Sequence, residues 1–276
     1  MSFKTVFMTV GVGQDDTEIE RAAAICRELD AHLVLLVLGI APPPPASPYG
    51  VVSNDIWAGE IRDGQSAAQE RADAVMARLQ GISSTVVSQY IDRGTVATLA
   101  ARFARYADLT LITAQSPTAE LMQGWVMNGA LFESGRPILL LPERGGGFPA
   151  PRRVMIAWDA SVEASKAVRD GIGLMQGAAA VDAVLIDPVP SFDGHGPEPG
   201  HDLAAYLGRH GIATTVHRLP KEGKDVGEVL LRTAADVGAE LIVMGGFGHS
   251  RLRERIFGGT TTTMMKDAPV PVLMAH

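Results

Sequence analysis

A run of glycines, hydroxyl side chains and arginines near the end of the sequence has the composition of a phosphate-binding site. Gly245, Gly246 and Gly248 directly follow a predicted strand, and glycines lack the Cβ atom that would keep a ligand away from backbone amides. Residues 258–261 (Gly-Gly-Thr-Thr) open a predicted helix, whose first N–H groups and dipole favour anions. Three arginines and one glutamate between residues 251 and 255 add positive charge. These residue types at this spacing predict binding of a polyphosphate.

The same residues also have a plainer explanation. The glycines between 245 and 248 would permit a tight turn, and Thr260 would cap a helix. Asp159, at the end of another predicted strand, could likewise serve as the N-cap of the helix that begins near Ser161. That role is compatible with ligand binding, and the phosphate site remains the favoured interpretation.

Other candidate sites in the sequence are weaker. Residues 11–16 (Gly-Val-Gly-Gln-Asp-Asp) resemble a dinucleotide fingerprint, but Asp16 replaces the third glycine, so a turn and a helix cap are predicted instead. The acidic and histidine side chains between residues 193 and 202 match no spacing of metal-ligand pairs, which favours a solvated loop. No hydrolytic dyad or triad emerges, so no catalytic residue and no metal ligand are predicted.

The elements that must position these residues follow a pattern that occurs twice. Ten short apolar runs predict strands, and segments with helical periodicity separate them. The first five are Thr5–Val10, Leu33–Leu38, Thr85–Ile91, Leu109–Thr113 and Pro137–Leu141. The second five are Arg153–Trp158, Val181–Ile186, Thr214–Leu219, Glu240–Met244 and Val270–Met274.

Strands that are apolar throughout indicate a parallel sheet covered on both faces. The fold class predicted is therefore α/β, with two tandem doubly wound domains, each a five-stranded mainly parallel sheet with helices on both faces. A Gly/Pro-rich stretch predicts the linker between a first domain at 1–144 and a second at 152–276. The first domain lacks the glycine loop and the arginines, so only the second is a candidate for nucleotide binding.

Composition excludes several classes of protein. The net charge of −7 argues against binding to nucleic acid, and no apolar run approaches the ~20 residues needed to cross a membrane. The first residues run directly into a strand pattern without the features of a secretory signal, so a cytoplasmic location is expected. The one cysteine, Cys26, lies among alanine and isoleucine at helical spacing and is predicted to be a core side chain.

The spacing Gly245-x2-Gly248-x9-Gly258, followed by hydroxyl residues, resembles the ATP-binding signature of the universal stress protein family. The order of the five strands in each half and the closing APVPVLM resemble that family too, so the similarity covers nearly the whole chain in tandem form. It implies ATP or another adenine nucleotide as the ligand, with or without Mg²⁺. One departure is visible. The family usually has Ser or Thr directly after the third glycine, whereas this chain has Gly259 and reaches a hydroxyl only at Thr260.

The resemblance also implies roles for individual residues. Around the ribose and phosphates it places Gly245, Gly248, His249, Gly258, Gly259 and Thr260, with Arg251 as a helper. Asp159 matches an acidic residue beside the ribose or the metal, while Ile186 and Asp187 would offer backbone groups to the adenine. The function implied is a stress-response protein regulated by a nucleotide. The alternatives are a slow metal-dependent ATP hydrolase and an interaction module without a ligand.

The resemblance also implies how the two domains assemble. Domains of the family pair through their last strands, so Ile138–Leu141 and Val270–Leu273 are expected to pair within this chain as an internal pseudo-dimer. Such pairing would cover apolar strand edges that are otherwise a hazard for aggregation. The resemblance leaves open whether two chains also form a homodimer.

Overall fold

The structure, a computed structural model, describes residues 3–43, 54–113, 117–142, 150–247 and 259–276. Within these ranges the chain forms ten strands, most of them separated by helices, which confirms the α/β class. The residues group into two compact units, Phe3–Ser134 and Gly135–His276. The domain bounds taken from the sequence stay a prediction.

The N-terminal unit is a parallel sheet of four strands in the order β3-β2-β1-β4. Its strands are β1 (Thr5–Gly11), β2 (His32–Ile40), β3 (Ser84–Ile91) and β4 (Leu109–Thr113). Its helices are α1 (Thr17–Leu29), α2 (Asn54–Arg78), α3 (Val96–Ala104) and α4 (Pro117–Glu133), with a 3₁₀ turn at Arg93–Thr95. All five residues of β4 are buried, as expected for a strand covered on both faces.

The C-terminal unit has six strands in the order β5-β10-β9-β6-β7-β8. The strands are β5 (Ile138–Leu141), β6 (Arg153–Ala157), β7 (Ala180–Ile186), β8 (Thr214–Leu219), β9 (Leu241–Gly245) and β10 (Val272–Ala275). The helices are α5 (Val162–Met175), α6 (His201–Arg209), α7 (Val226–Val237) and α8 (Gly259–Asp267). The strands from β6 to β10 pair in parallel, and only β5 runs antiparallel to its neighbour.

Helices cover both faces of this second sheet. On one face α5 approaches closely, because a Cβ atom added at Gly171 would lie 3.0 Å from the Leu273 side chain and 3.6 Å from that of Val243. On the other face α7 and Met244 line a common cavity. Val243 and Met244 are successive residues of β9, whose side chains point to opposite faces, so α5 and α7 lie on opposite sides of the sheet.

The last strands of the two sequence repeats pair as predicted. In the antiparallel ladder, Leu139 lies opposite Leu273, and Leu140 lies opposite Val272. The strand β10 begins two residues later than predicted, at Val272, because Pro271 has no N–H group to donate to a ladder. The internal pseudo-dimer itself stays a prediction.

None of the helices in the described ranges is both long and apolar enough to pass through a bilayer.

Cys26 is a buried core residue of α1, as the sequence predicts, with 1% of its surface exposed. Burial raises the pKa of its thiol to about 12, because an apolar environment disfavours the thiolate. At pH 8 the thiol therefore stays protonated, and we expect the folded protein not to react with a colorimetric disulfide reagent over minutes. The unfolded protein in guanidinium should release one equivalent of chromophore, and rapid reaction of the folded protein would contradict this burial.

Candidate functional site

A cavity of about 470 Å³ opens at the carboxyl ends of the central strands of the C-terminal unit. In this sheet β6 lies between β7 and β9, so the chain order reverses direction beside β6. Open α/β sheets bind their ligands at such a switch point, outside the carboxyl ends of the strands. The volume is within the range of small-molecule sites, about 300–1,000 Å³.

Most of the cavity wall is apolar. It combines the ends of β6, β7 and β9 with the first turns of α7, and its apolar residues are Ala157, Trp158, Val184, Ile186, Val226, Leu230, Met244 and Phe247. The remaining described residues of the wall are Asp159, Gly245, Gly259, Thr260 and Thr261. Part of the cavity wall is therefore formed by the start of α8, where an α-helix presents N–H groups that have no acceptor within the helix.

Asp159 has a different local role from the helix cap considered above. Its Oδ1 accepts hydrogen bonds from the backbone N–H of Ser161 at 3.0 Å and from the Ser161 hydroxyl at 2.6 Å. Ser161 is the N-cap, since its Oγ accepts from the N–H of Ala164. The N-cap of α5 therefore lies two residues after Asp159, and the N-cap interpretation of Asp159 is wrong. The carboxylate instead fixes the turn that leads into α5, and it lines the cavity.

Gly245 and Gly246 are adjacent but serve the fold differently. Gly245 lines the cavity and also packs on the start of α5, where an added Cβ atom would lie 2.6 Å from the backbone nitrogen of Ala164. Gly246 is outside the cavity wall. Its N–H donates to the carbonyl of Ala275, and its own carbonyl lies 3.0 Å from Nδ1 of His276.

Of the two residues expected beside an adenine, one lines the cavity and the other does not. Ile186 lines the cavity. Asp187 has a left-handed backbone with φ of 45°, and its N–H donates to the carbonyl of Leu219. The Asp187 carboxylate accepts from the N–H of Lys221 at 3.1 Å, so this residue closes the connection between β7 and β8.

The structure thus brings together Asp159, Ile186, Gly245, Gly259 and Thr260 around one cavity. Four further site residues predicted from the sequence lie outside the described residues. These are Gly248, His249, Arg251 and Gly258.

Sequence reasoning missed the aromatic and aliphatic part of the wall. Trp158 directly precedes Asp159 at the end of a predicted strand, which is a signal that it could share the site. Phe247 has a φ of 62°, an uncommon value for a bulky residue, and it lies within the glycine-rich stretch. Val226 and Leu230 lie one turn apart on α7, and nothing in the sequence separates such a pair from ordinary core residues.

The corresponding end of β1 in the N-terminal unit is occupied by polar groups of the chain itself. The N–H of Gly11 donates to the side-chain oxygen of Gln14. Arg71 donates to the Gln14 carbonyl at 2.8 Å and forms an ion pair with Asp16 at 2.8 Å. Asp15 accepts from the N–H of Thr17, as in a turn that leads into a helix. These contacts agree with the turn predicted for this segment.

Comparison with known proteins identifies relatives of this chain. Residues 151–276 match the model of the universal stress protein family. A universal stress protein of Synechocystis sp. is 24% identical in an alignment of 172 residues that covers 60% of this chain. The aligned part spans only 57% of the length of that relative.

Solved structures share the fold over almost the whole chain. A universal stress protein from Archaeoglobus fulgidus matches with a TM-score of 0.65 at 17% identity, covering 98% of this chain and 95% of that protein. A second crystal structure, from Pseudomonas aeruginosa, matches with a TM-score of 0.56 at 15% identity, covering 99% and 92%. At these identities the likeness concerns the fold.

Proposed function

We propose that the C-terminal unit, whose residues 151–276 match the model of the universal stress protein family, binds an adenine nucleotide in the cavity beside β6. The ligand is ATP or another adenine nucleotide. Its role is regulatory, as a signal that the protein carries in a stress response.

The observation that supports this proposal most directly is that the cavity wall combines two kinds of residue. Val184, Ile186 and Leu230 are apolar wall residues that suit a planar base, and Trp158 adds an aromatic surface. Thr260 and Thr261 belong to the same wall in the first turn of α8, where helix N–H groups and hydroxyls suit phosphate oxygens. A ligand that is flat and apolar at one end and anionic at the other matches this arrangement.

Asp159, which also lines the cavity, supports binding of the ribose. A carboxylate accepts hydrogen bonds from sugar hydroxyls, and this one is held by the N–H and hydroxyl of Ser161. The same carboxylate suits Mg²⁺, which is usually bound through one or two carboxylates together with phosphate oxygens. This second fit favours the slow metal-dependent hydrolase as the alternative function.

A regulatory role is proposed because Asp159, the titratable residue of the described cavity wall, already accepts hydrogen bonds within its own turn. Asp159 Oδ1 already accepts two hydrogen bonds, which suits a structural and binding group better than a base that must take a proton. If Mg²⁺ accompanies the nucleotide, Asp159 would hold it and the ion would neutralise phosphate charge.

One nucleotide per chain is the expected stoichiometry. At the end of β1 in the N-terminal unit, Gln14, Asp16 and Arg71 contact the chain itself, and the last residue of that strand is Gly11, which carries no carboxylate. Calorimetric titration with ATP, with and without MgCl₂, measures this number directly. Two equivalent sites per chain would contradict the assignment. Release of phosphate over hours would favour the hydrolase, and no binding at all would favour the interaction module.

A further inference from the structure

An acidic side chain lies against the first residue of α8, in the part of the cavity wall proposed for phosphates. Asp225 is the N-cap of α7. A Cβ atom added at Gly259 would lie 3.3 Å from Asp225 Oδ2, so no side chain separates the carboxylate from the start of α8. Gly259 itself is part of the cavity wall.

Two sets of contacts fix this arrangement. Asp225 Oδ1 accepts from the N–H of Gly227 at 2.8 Å, which orients the carboxylate. Gly227 in turn packs on α8, because a Cβ atom added there would lie 2.7 Å from Cβ of Thr263. Thr263 donates its hydroxyl hydrogen bond to the carbonyl of Gly259 at 3.0 Å. The first turns of α7 and α8 are therefore held together, with the carboxylate between them.

The charge of Asp225 has opposite consequences for the helix and for the ligand. A carboxylate near a helix N-terminus interacts favourably with the positive end of the dipole, which a bound phosphate would otherwise use. A phosphate at the same helix end lies close to this carboxylate and is repelled by it. For two unit charges about 4 Å apart in water, the repulsion corresponds to roughly a fivefold loss of affinity.

Because residue 259 is a glycine, it has no side-chain hydroxyl that could reduce this repulsion. A hydroxyl at residue 259 would extend from the position next to Asp225 Oδ2, where it could donate a hydrogen bond to the carboxylate or to a phosphate oxygen. Glycine offers its backbone N–H alone. The combination of Asp225 with Gly259 therefore penalises each added phosphate charge in this part of the cavity.

We infer that Asp225 is a specificity-determining residue that shifts the preference of the site from ATP toward adenine nucleotides with a short phosphate chain, such as AMP. The inference rests on the proposed function, because it assigns the ligand class of that same cavity. Asp225 is exposed, so the discrimination is screened by salt and is greatest at low ionic strength.

The test is the ratio of the ATP and AMP affinities in the parent protein and in Asp225→Asn, measured by calorimetry at low salt with EDTA present. Asparagine is as good an N-cap as aspartate, so the fold should be retained while the charge is lost. We expect the ATP affinity to rise about fivefold, and the AMP affinity to rise less, so that the ratio shifts toward ATP. At high salt this shift should shrink.

Asp92 provides a matched control. It is the N-cap of the 3₁₀ turn before α3, and its Oδ1 accepts from the N–H of Gly94 at 2.9 Å, the same capping contact in the other unit. Asp92→Asn removes one negative charge without touching the cavity, and both affinities should stay unchanged. A second variant, Asp225→Ser, also keeps a capping side chain and should shift the ratio in the same direction.

The outcomes separate this inference from the proposed function. If the parent binds neither AMP nor ATP, both fail. If it binds them but Asp225→Asn leaves the ratio unchanged, or lowers the affinity for ATP, the inference fails while the proposed function stands. An equal shift in Asp92→Asn would show that net charge, rather than the position of Asp225, sets the preference, and would also overturn it.

Discussion

Replacing Gly245 by alanine is expected to lower the free energy of unfolding of the C-terminal unit by about 3 kcal/mol, a cost typical of inserting a group into a packed contact. The added Cβ atom would lie 2.6 Å from the nitrogen of Ala164 and 2.9 Å from the carbonyl carbon of Glu163. Both are backbone atoms in the first turn of α5, so neither can rotate away. Relief requires that α5 or the end of β9 move.

Chemical denaturation followed by circular dichroism measures this loss as a lower midpoint for the transition of the C-terminal unit. Gly208→Ala is the matched control, because nothing lies within 4 Å of a Cβ atom added at Gly208 in α6. Alanine is favoured over glycine in a helix by about 0.5–1 kcal/mol, so this variant should be slightly more stable than the parent. If Gly245→Ala were as stable as Gly208→Ala, the close packing of α5 on β9 would be refuted.

A large loss of nucleotide affinity is expected when the cavity is filled by a side chain. Replacing Ala157 by phenylalanine should weaken nucleotide binding at least a hundredfold with little change in the free energy of unfolding. Ala157 ends β6, is half-buried, and faces the cavity together with Val184 and Met244. A phenyl ring at this position would occupy space that is open in the structure, so it would compete with the ligand rather than overpack the core.

Titration of both proteins with the nucleotide that the parent binds checks this expectation. Ala235→Phe introduces the same ring on the exposed side of α7 in the same unit, away from the cavity wall, and it should bind like the parent. Retained binding in Ala157→Phe, with a thermal transition like that of the parent, would mean that the ligand does not enter this cavity.

The strands could be predicted from the sequence to within about two residues at each end. β4 is predicted at its observed bounds, although two of its five buried residues, Thr110 and Thr113, carry hydroxyls and are not aliphatic. The short α6 was also foreseeable, because the stretch between β7 and β8 is shorter than the one between β2 and β3, which holds the long α2. The pairing of β5 with β10 followed from the resemblance to the family rather than from any local pattern.

The site was only partly predictable because local spacing does not reveal which polar groups are already paired. Gly246 looks like part of a phosphate loop in the sequence, yet its N–H donates to Ala275, a residue 29 positions away in the chain. The N–H of Asp187 is used by Leu219 in the same way. Such partners are set by the ladder and its neighbouring turns, and they become visible only once the strand order is known.

The sequence also does not reveal that the charge of Asp225 lies next to the start of α8. In the sequence it is a helix cap, and it lies far from the Gly-Gly-Thr segment. Its closeness to Gly259 depends on the packing of α7 against α8, which brings Gly227 onto Thr263. A local charge count around residues 251–255 therefore overlooks a carboxylate that lies beside the same part of the cavity wall.

The antiparallel pairing of β5 with β10 also affects how freely the chain can change in length. Both β5 and β6 belong to the compact unit Gly135–His276, so the residues that join them have both ends anchored in one body. In general, doubling the number of residues between two anchored points costs only about 0.6 kcal/mol in closure entropy. The passage from one unit to the other, by contrast, falls at Ser134 and Gly135, between the last turn of α4 and the first residue of β5. Insertions should therefore accumulate in the Gly/Pro-rich segment after Leu141, while the few residues between Glu133 and Ile138 should keep their number.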